Sequence, residues 1–131
     1  EGGDAMRTTN GQGERILMVE DNPALQDAVA DILESVGYEV LLAGDGEEAL
    51  AVLQAENGRV DLILTDLVMP NMSGVELHKR VQTLYPTLPI LFVSGYAPDD
   101  MAHSAGLTEK NYLPKPFSAV DLTAKIEEML A

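Results

Sequence analysis

Cysteine is absent from the 131 residues, and basic residues are scarce. Without thiols there are no disulfides and no thiolate metal centre, which agrees with a cytoplasmic domain. Eight Lys and Arg against 22 Asp and Glu leave a formal net charge of -14, which repels a phosphate backbone and argues against direct nucleic-acid binding. Most of these acids serve solubility. No apolar run approaches the roughly 20 residues of a membrane-spanning helix, and nothing resembles a signal peptide. No membrane contact is expected of this domain, although a parent protein could be membrane-anchored. What the chain does have is 46% hydrophobic residues in a length that suits one domain with a real core.

Residues 1 to 14 are polar and Gly-rich with no hydrophobic period. They are expected to be a flexible linker or a tag remnant, with the domain running from 15 to 131. From there strands and helices alternate. Ile16 to Val19 is wholly apolar and stops at Glu20 and Asp21. Asn22 can cap a helix that Pro23 opens, with Leu25, Val29, Ile32, Leu33 and Val36 on one face until Gly37. A strand from Tyr38 to Ala43 and a helix from Gly46 to about Asn57, with Leu50 and Leu53 inward, follow.

Asp61 to Asp66 is a third strand ending in a carboxylate, closed by Pro70, Ser73 and Gly74. Ser73 and Glu76 read as a capping box, and Leu77, Val81 and Leu84 as the inner stripe of a helix that stops before Pro86. Pro89 to Gly95 is the fourth strand and Asn111 to Leu113 a brief fifth. Ser118 and Asp121 open the last helix, which carries Leu122, Ile126 and Met129 on one side. Between strands four and five, residues 97 to 110 have few large apolar anchors, so the fourth helix is expected to be short or mobile. The alternation implies an α/β fold, a doubly wound five-stranded parallel sheet in the flavodoxin-like order 2-1-3-4-5.

This order sets strands 1 and 3 side by side, so Glu20, Asp21 and Asp66 converge at the switch point. Three carboxylates so close cannot all stay ionised without a cation, and hard oxygen ligands in an open site favour Mg²⁺. Ser94 after strand 4 supplies a hydroxyl, and Lys115, between Pro114 and Pro116, a fixed positive charge. A carboxylate nucleophile, a magnesium ion, a hydroxyl and an ammonium together describe phosphoryl transfer. Each part taken singly has an ordinary alternative. Asp66 could cap a turn, Glu20 and Asp21 a helix, and Lys115 could be a surface lysine. His78 and His103 read as surface residues.

Val19-Glu20-Asp21-Asn22, Asp66 with Met69-Pro70 and Gly74, Ser94-Gly95 and Lys115-Pro116-Phe117 stand in an order and spacing that resemble the receiver domains of bacterial two-component signalling. The resemblance covers Arg15 to Leu130. It implies that Asp66 is the phosphoacceptor, taking a phosphoryl group from the phosphohistidine of a histidine kinase or from small donors such as acetyl phosphate. It also implies that Glu20, Asp21, Asp66 and the backbone carbonyl of Val68 hold Mg²⁺, Glu20 through water. Ser94 and Lys115 would bind the phosphoryl oxygens, and Tyr112 would be the switch aromatic. Ser94-Gly95-Tyr96 and the weak fourth helix resemble receivers at the C-terminus of hybrid sensor histidine kinases.

Such a domain is not an enzyme in isolation, beyond catalysing its own phosphorylation and dephosphorylation. Two other classes remain to be weighed. A magnesium phosphatase with an aspartate nucleophile usually wants a second acid two residues on, where this chain has Val68. A binding module is the other class. A degenerate receiver used only for protein contacts would lose part of the acid and lysine set. A flavin binder would need a phosphate loop where Glu20-Asp21-Asn22-Pro23 stands.

Overall fold

The computed structural model describes residues 13–67, 72–94, 111–115 and 117–130. Val68, the 97–110 segment with His103, and the side chain of Ser94 lie outside what is described. Among the described residues, five strands and four helices follow in the order β1 (Arg15–Val19), α1 (Pro23–Ser35), β2 (Glu39–Ala43), α2 (Gly46–Ala55), β3 (Leu62–Asp66), α3 (Gly74–Leu84), β4 (Ile90–Ser94), β5 (Tyr112–Pro114) and α4 (Ala119–Leu130). The strands form one parallel sheet in the order β2-β1-β3-β4-β5, as the alternation implies.

Period-two alternation along the central strands sorts the core into two layers. Leu17, Val19, Ile63 and Phe92 point to one face, where Ala49 and Leu53 of α2 and Leu77 and Val81 of α3 cover them. Ile16, Met18, Leu62, Leu64, Leu91 and Val93 point to the other, under Val29 and Leu33 of α1 and Leu122 and Ile126 of α4. Since helices cover both faces, Ile16–Val19 of β1 and Leu62–Leu64 of β3 are continuous apolar runs rather than alternating with polar residues.

The helix starts follow their local chemistry. Asn22 Oδ1 accepts from the amides of Ala24 and Leu25 before Pro23 at the first turn. Asp45 accepts from Glu48 N and Ser73 from Glu76 N. Ser118 and Asp121 exchange both capping bonds at the start of α4. At the opposite end of the sheet from Asp66, Arg15 of β1 ties β2 to the segment that leads into β3. Its guanidinium meets Glu39, Glu56 and the carbonyl of Arg59, while its amide donates to Asp61.

Two side chains of α3 differ from expectation. Leu84, expected inward, is 60% exposed, and His78, expected on the surface, is half-buried with its ring edge-on to Phe92 at 5.5 Å. At about 100° per residue the buried sector can centre on either side of the Leu77–Val81 line. Tyr85 decides the side. Its amide bonds to the carbonyl of Val81, and its ring lies 2.8 Å from where a Cβ on Gly58 would stand. The helix therefore turns His78 and Tyr85 toward the core and Leu84 away.

Candidate functional site

The candidate acids and the lysine sit at the C-terminal ends of strands. Asp66 closes β3 and is 8% exposed, paired in register with Val93 of β4. Glu20 follows β1 directly and is 3% exposed, its amide bonded to the carbonyl of Ala43 at 3.0 Å, which extends the β1–β2 ladder one residue past the strand. Lys115 follows β5. Its ammonium donates to Asp66 Oδ2 at 2.6 Å and stands 3.6 Å from Glu20 Oε1, so one cation bridges acids from two different strands.

The chain after Asp66 must turn back sharply. Gly74 makes this possible, because a Cβ there would lie 2.7 Å from the carbonyl oxygen of Asp66 and 2.9 Å from the Cα of Leu67. The Gly74 amide donates to the carbonyl of Leu67 at 2.9 Å, which pins the start of α3 against the end of β3. Behind the acid, the hydroxyl of buried Thr65 donates to the carbonyl of Asp66.

The electrostatics of the site follow from burial. Desolvation pushes the Glu20 carboxyl above its usual range, and the Asp66 and Asp21 carboxyls add to the rise, while the Asn22 amide and the Lys115 ammonium act against it. Burial would lower the Lys115 ammonium, but its hydrogen bond and attraction to Asp66, with a further contribution from Glu20, outweigh burial and hold the proton more tightly than usual. Glu20 Oε2 accepts from the amide of Asn22 at 3.2 Å, whereas Oε1 is buried without a hydrogen-bond partner.

Among the described residues, no three metal-binding side chains stand grouped as a ready cage. Even so, the residues suit a hard divalent ion. Three carboxyl groups, Glu20, Asp21 and Asp66, stand against one ammonium, Lys115, all donors are oxygens, and Glu20 Oε1 is buried without a hydrogen-bond partner.

Of the residues singled out in the sequence, Glu20, Asp66 and Lys115 are brought together, with Asp21 exposed beside them. Ser94 is the last residue of β4, next to Asp66 in the sheet order. Tyr112 begins β5, half-buried and packed against the α2–α3 layer, with Phe92 as its neighbour in register. The backbone carbonyl of Val68 lies outside the described residues. One residue at the rim had no signal in the sequence. Gln26 of α1 donates from Nε2 to the carbonyls of Glu20 and Ala43, at 3.1 Å each.

The sequence pattern described as response regulator receiver domain matches residues 16–127. Over 116 residues the chain is 39% identical to Sensor kinase CckA of Brucella abortus (strain 2308), covering 88% of this chain and 12% of that protein. It is 38% identical over 121 residues to Response regulator receiver protein CpdR of the same organism, covering 88% and 96%. The crystal structure of the receiver domain from the hybrid histidine kinase CckA superposes with a TM-score of 0.74 at 36% identity, over 89% of this chain and 99% of that one. The chain spans about half the length of the transcriptional regulators that it also matches.

Proposed function

The chain belongs to the response regulator receiver family of two-component signalling, and from that premise we propose that Asp66 is the residue that accepts the phosphoryl group. The observation that carries this assignment is the Lys115 ammonium bridging Asp66 and Glu20. A lysine committed to two buried acids is not a surface lysine. It neutralises the charge gathered at Asp66 when a dianionic donor approaches.

An Asp66 carboxylate oxygen attacks the phosphorus of a phosphohistidine in line. A new O–P bond forms, the P–N bond breaks, and the imidazole leaves with the electron pair and takes up a proton. Glu20, Asp21, Asp66 and the carbonyl of Val68 are the groups that would hold Mg²⁺. When bound, the ion supplies positive charge to the non-bridging phosphoryl oxygens. The Ser94 hydroxyl is assigned to one phosphoryl oxygen and Lys115 to another, with Tyr112 responding to the movement of Ser94. The domain catalyses only its own phosphorylation and the hydrolysis of the acyl phosphate that results. Its partners are a phosphohistidine-bearing kinase domain and small phosphodonors, with no nucleic acid or membrane.

Incubation with acetyl phosphate and Mg²⁺ tests the assignment by intact mass. A single phosphate adduct, removed by hydroxylamine and lost in Asp66→Asn, is expected. Undiminished modification of Asp66→Asn refutes it, and absence of any adduct on the wild type favours the degenerate receiver. The likeness to the CckA receiver supports a hybrid kinase as the parent protein, and the size of the native gene product on an immunoblot tests it.

A further inference from the structure

We propose that Gln26 is a positioning residue for the acid pair, a clamp that fixes the Glu20 peptide and thereby the placement of the Glu20 and Asp21 carboxylates. The inference rests on the function proposed above, but the clamp can be tested without it.

The Glu20 backbone lies where β1 has ended and α1 has not yet begun, so neither a full ladder nor a helix holds it. Its amide reaches the carbonyl of Ala43, and its carbonyl faces α1. Gln26, one turn into that helix and half-buried, fills the gap. Its Nε2 stands 3.1 Å from the carbonyl oxygen of Glu20 and 3.1 Å from that of Ala43.

Both neighbours are acceptors only, so the amide orientation is dictated. A flipped amide would set three oxygens against one another, whereas the observed one uses both N–H bonds of the NH₂ group. The Gln26 backbone amide also bonds to the carbonyl of Asn22 at 2.9 Å, and Asn22 N holds Glu20 Oε2. A closed circuit results, running from Glu20 through Asn22 and Gln26 back to Glu20, with Ala43 of β2 as its outer anchor. The carboxylate end is held from one side and the carbonyl end from the other.

This circuit matters because Glu20 is buried, and Lys115 and Asp66 leave it one productive orientation. If the peptide rocked, Oε1 would swing from its place beside Lys115, and Asp21, one residue on, would move with it. The Gln26 side chain donates to the backbone carbonyls of Glu20 and Ala43 and not to the Asp66 carboxylate. It acts by removing the freedom of the backbone that carries the acids, as partners behind a metal ligand do.

Gln26→Met keeps the length and apolar stem of the side chain and removes both donors. In the metal-free protein, hydrogen exchange at the Glu20 amide is expected to quicken by about fivefold, the share of one lost hydrogen bond. Mn²⁺ binding followed by electron paramagnetic resonance should weaken by about tenfold. Phosphorylation by acetyl phosphate should then need about tenfold more Mg²⁺ for half its maximal rate, while the rate at saturating Mg²⁺ stays within about twofold. Unchanged exchange at Glu20 overturns the clamp. Equal Mn²⁺ affinity with a lowered melting temperature overturns it too, because Gln26 would then serve the fold alone. A wild type that takes no phosphate while Gln26→Met still loosens Glu20 would fault the proposed function and leave the clamp standing.

Discussion

Lys115→Met in the metal-free protein separates a structural ion bridge from an ordinary lysine. The wild-type ammonium is 2.6 Å from Asp66 and 3.6 Å from Glu20, and it is about a quarter exposed while both acids are almost wholly buried. Removing one partner of a buried pair costs about 3–5 kcal/mol, since the remaining charge is left uncompensated. Partial exposure of Lys115 lets water relieve some of this, which puts the expected loss at about 2–3 kcal/mol. For a domain of this size about 4 °C accompanies each kcal/mol, so the melting temperature should fall by about 8–12 °C. An exposed lysine would change stability by no more than about 0.5 kcal/mol.

The second arm of the experiment is magnesium. With its resident cation gone, the acid cluster of the variant gains more from a divalent ion than the wild type does, because the ion replaces missing charge as well as adding its own. Thermal unfolding followed by circular dichroism, with and without about 10 mM MgCl₂ against the affinity scale of such hydrated sites, should show the larger upward shift in Lys115→Met. A fall of less than 2 °C, about 0.5 kcal/mol, or an ion-induced shift no larger than that of the wild type, would refute the view that Lys115 holds the two acids together.

Two further outcomes follow from the geometry. Gly74→Ala gains about 1 kcal/mol of helix propensity in principle, yet its Cβ would press on backbone atoms of Asp66 and Leu67 that cannot step aside, so urea unfolding should show a net loss of about 1–2 kcal/mol. A stabilised Gly74→Ala would mean that the turn after β3 relaxes freely. His78 concerns pH. Burial holds the imidazole below its usual range, so the folded state prefers it neutral, and its contribution is complete above about pH 6.5 and is lost as pH falls through the lowered value. The stability of the wild type should therefore drop more steeply than that of His78→Leu on acidification from about pH 7 to about pH 5, by at most about 1.4 kcal/mol per pH unit. Parallel curves would place His78 in water.

Much of this molecule was legible in the chain because its local signals agree with one another. Uninterrupted apolar runs at Ile16 to Val19 and Leu62 to Leu64, too short for helices and closed by acids or turn residues, suit strands covered on both faces, and Asn22-Pro23, Ser73 and Ser118 start helices by hydrogen bonds that span up to three residues. Covered parallel strands with short crossovers fit the flavodoxin-like sheet order that the structure has, and this order brings Glu20 and Asp66 together from positions 46 residues apart in sequence. Other features could be decided only by tertiary structure. The side of α3 that is buried depends on Tyr85 meeting Gly58, a contact between separate elements that no helical period contains, and so Leu84 turned out and His78 in. That Lys115 bridges two acids, rather than facing one, depends on where β5 ends beside β4 and β3. Gln26 was silent for the same reason. Its partners are backbone carbonyls on two strands, and backbone carbonyls carry no side-chain identity for a sequence to reveal.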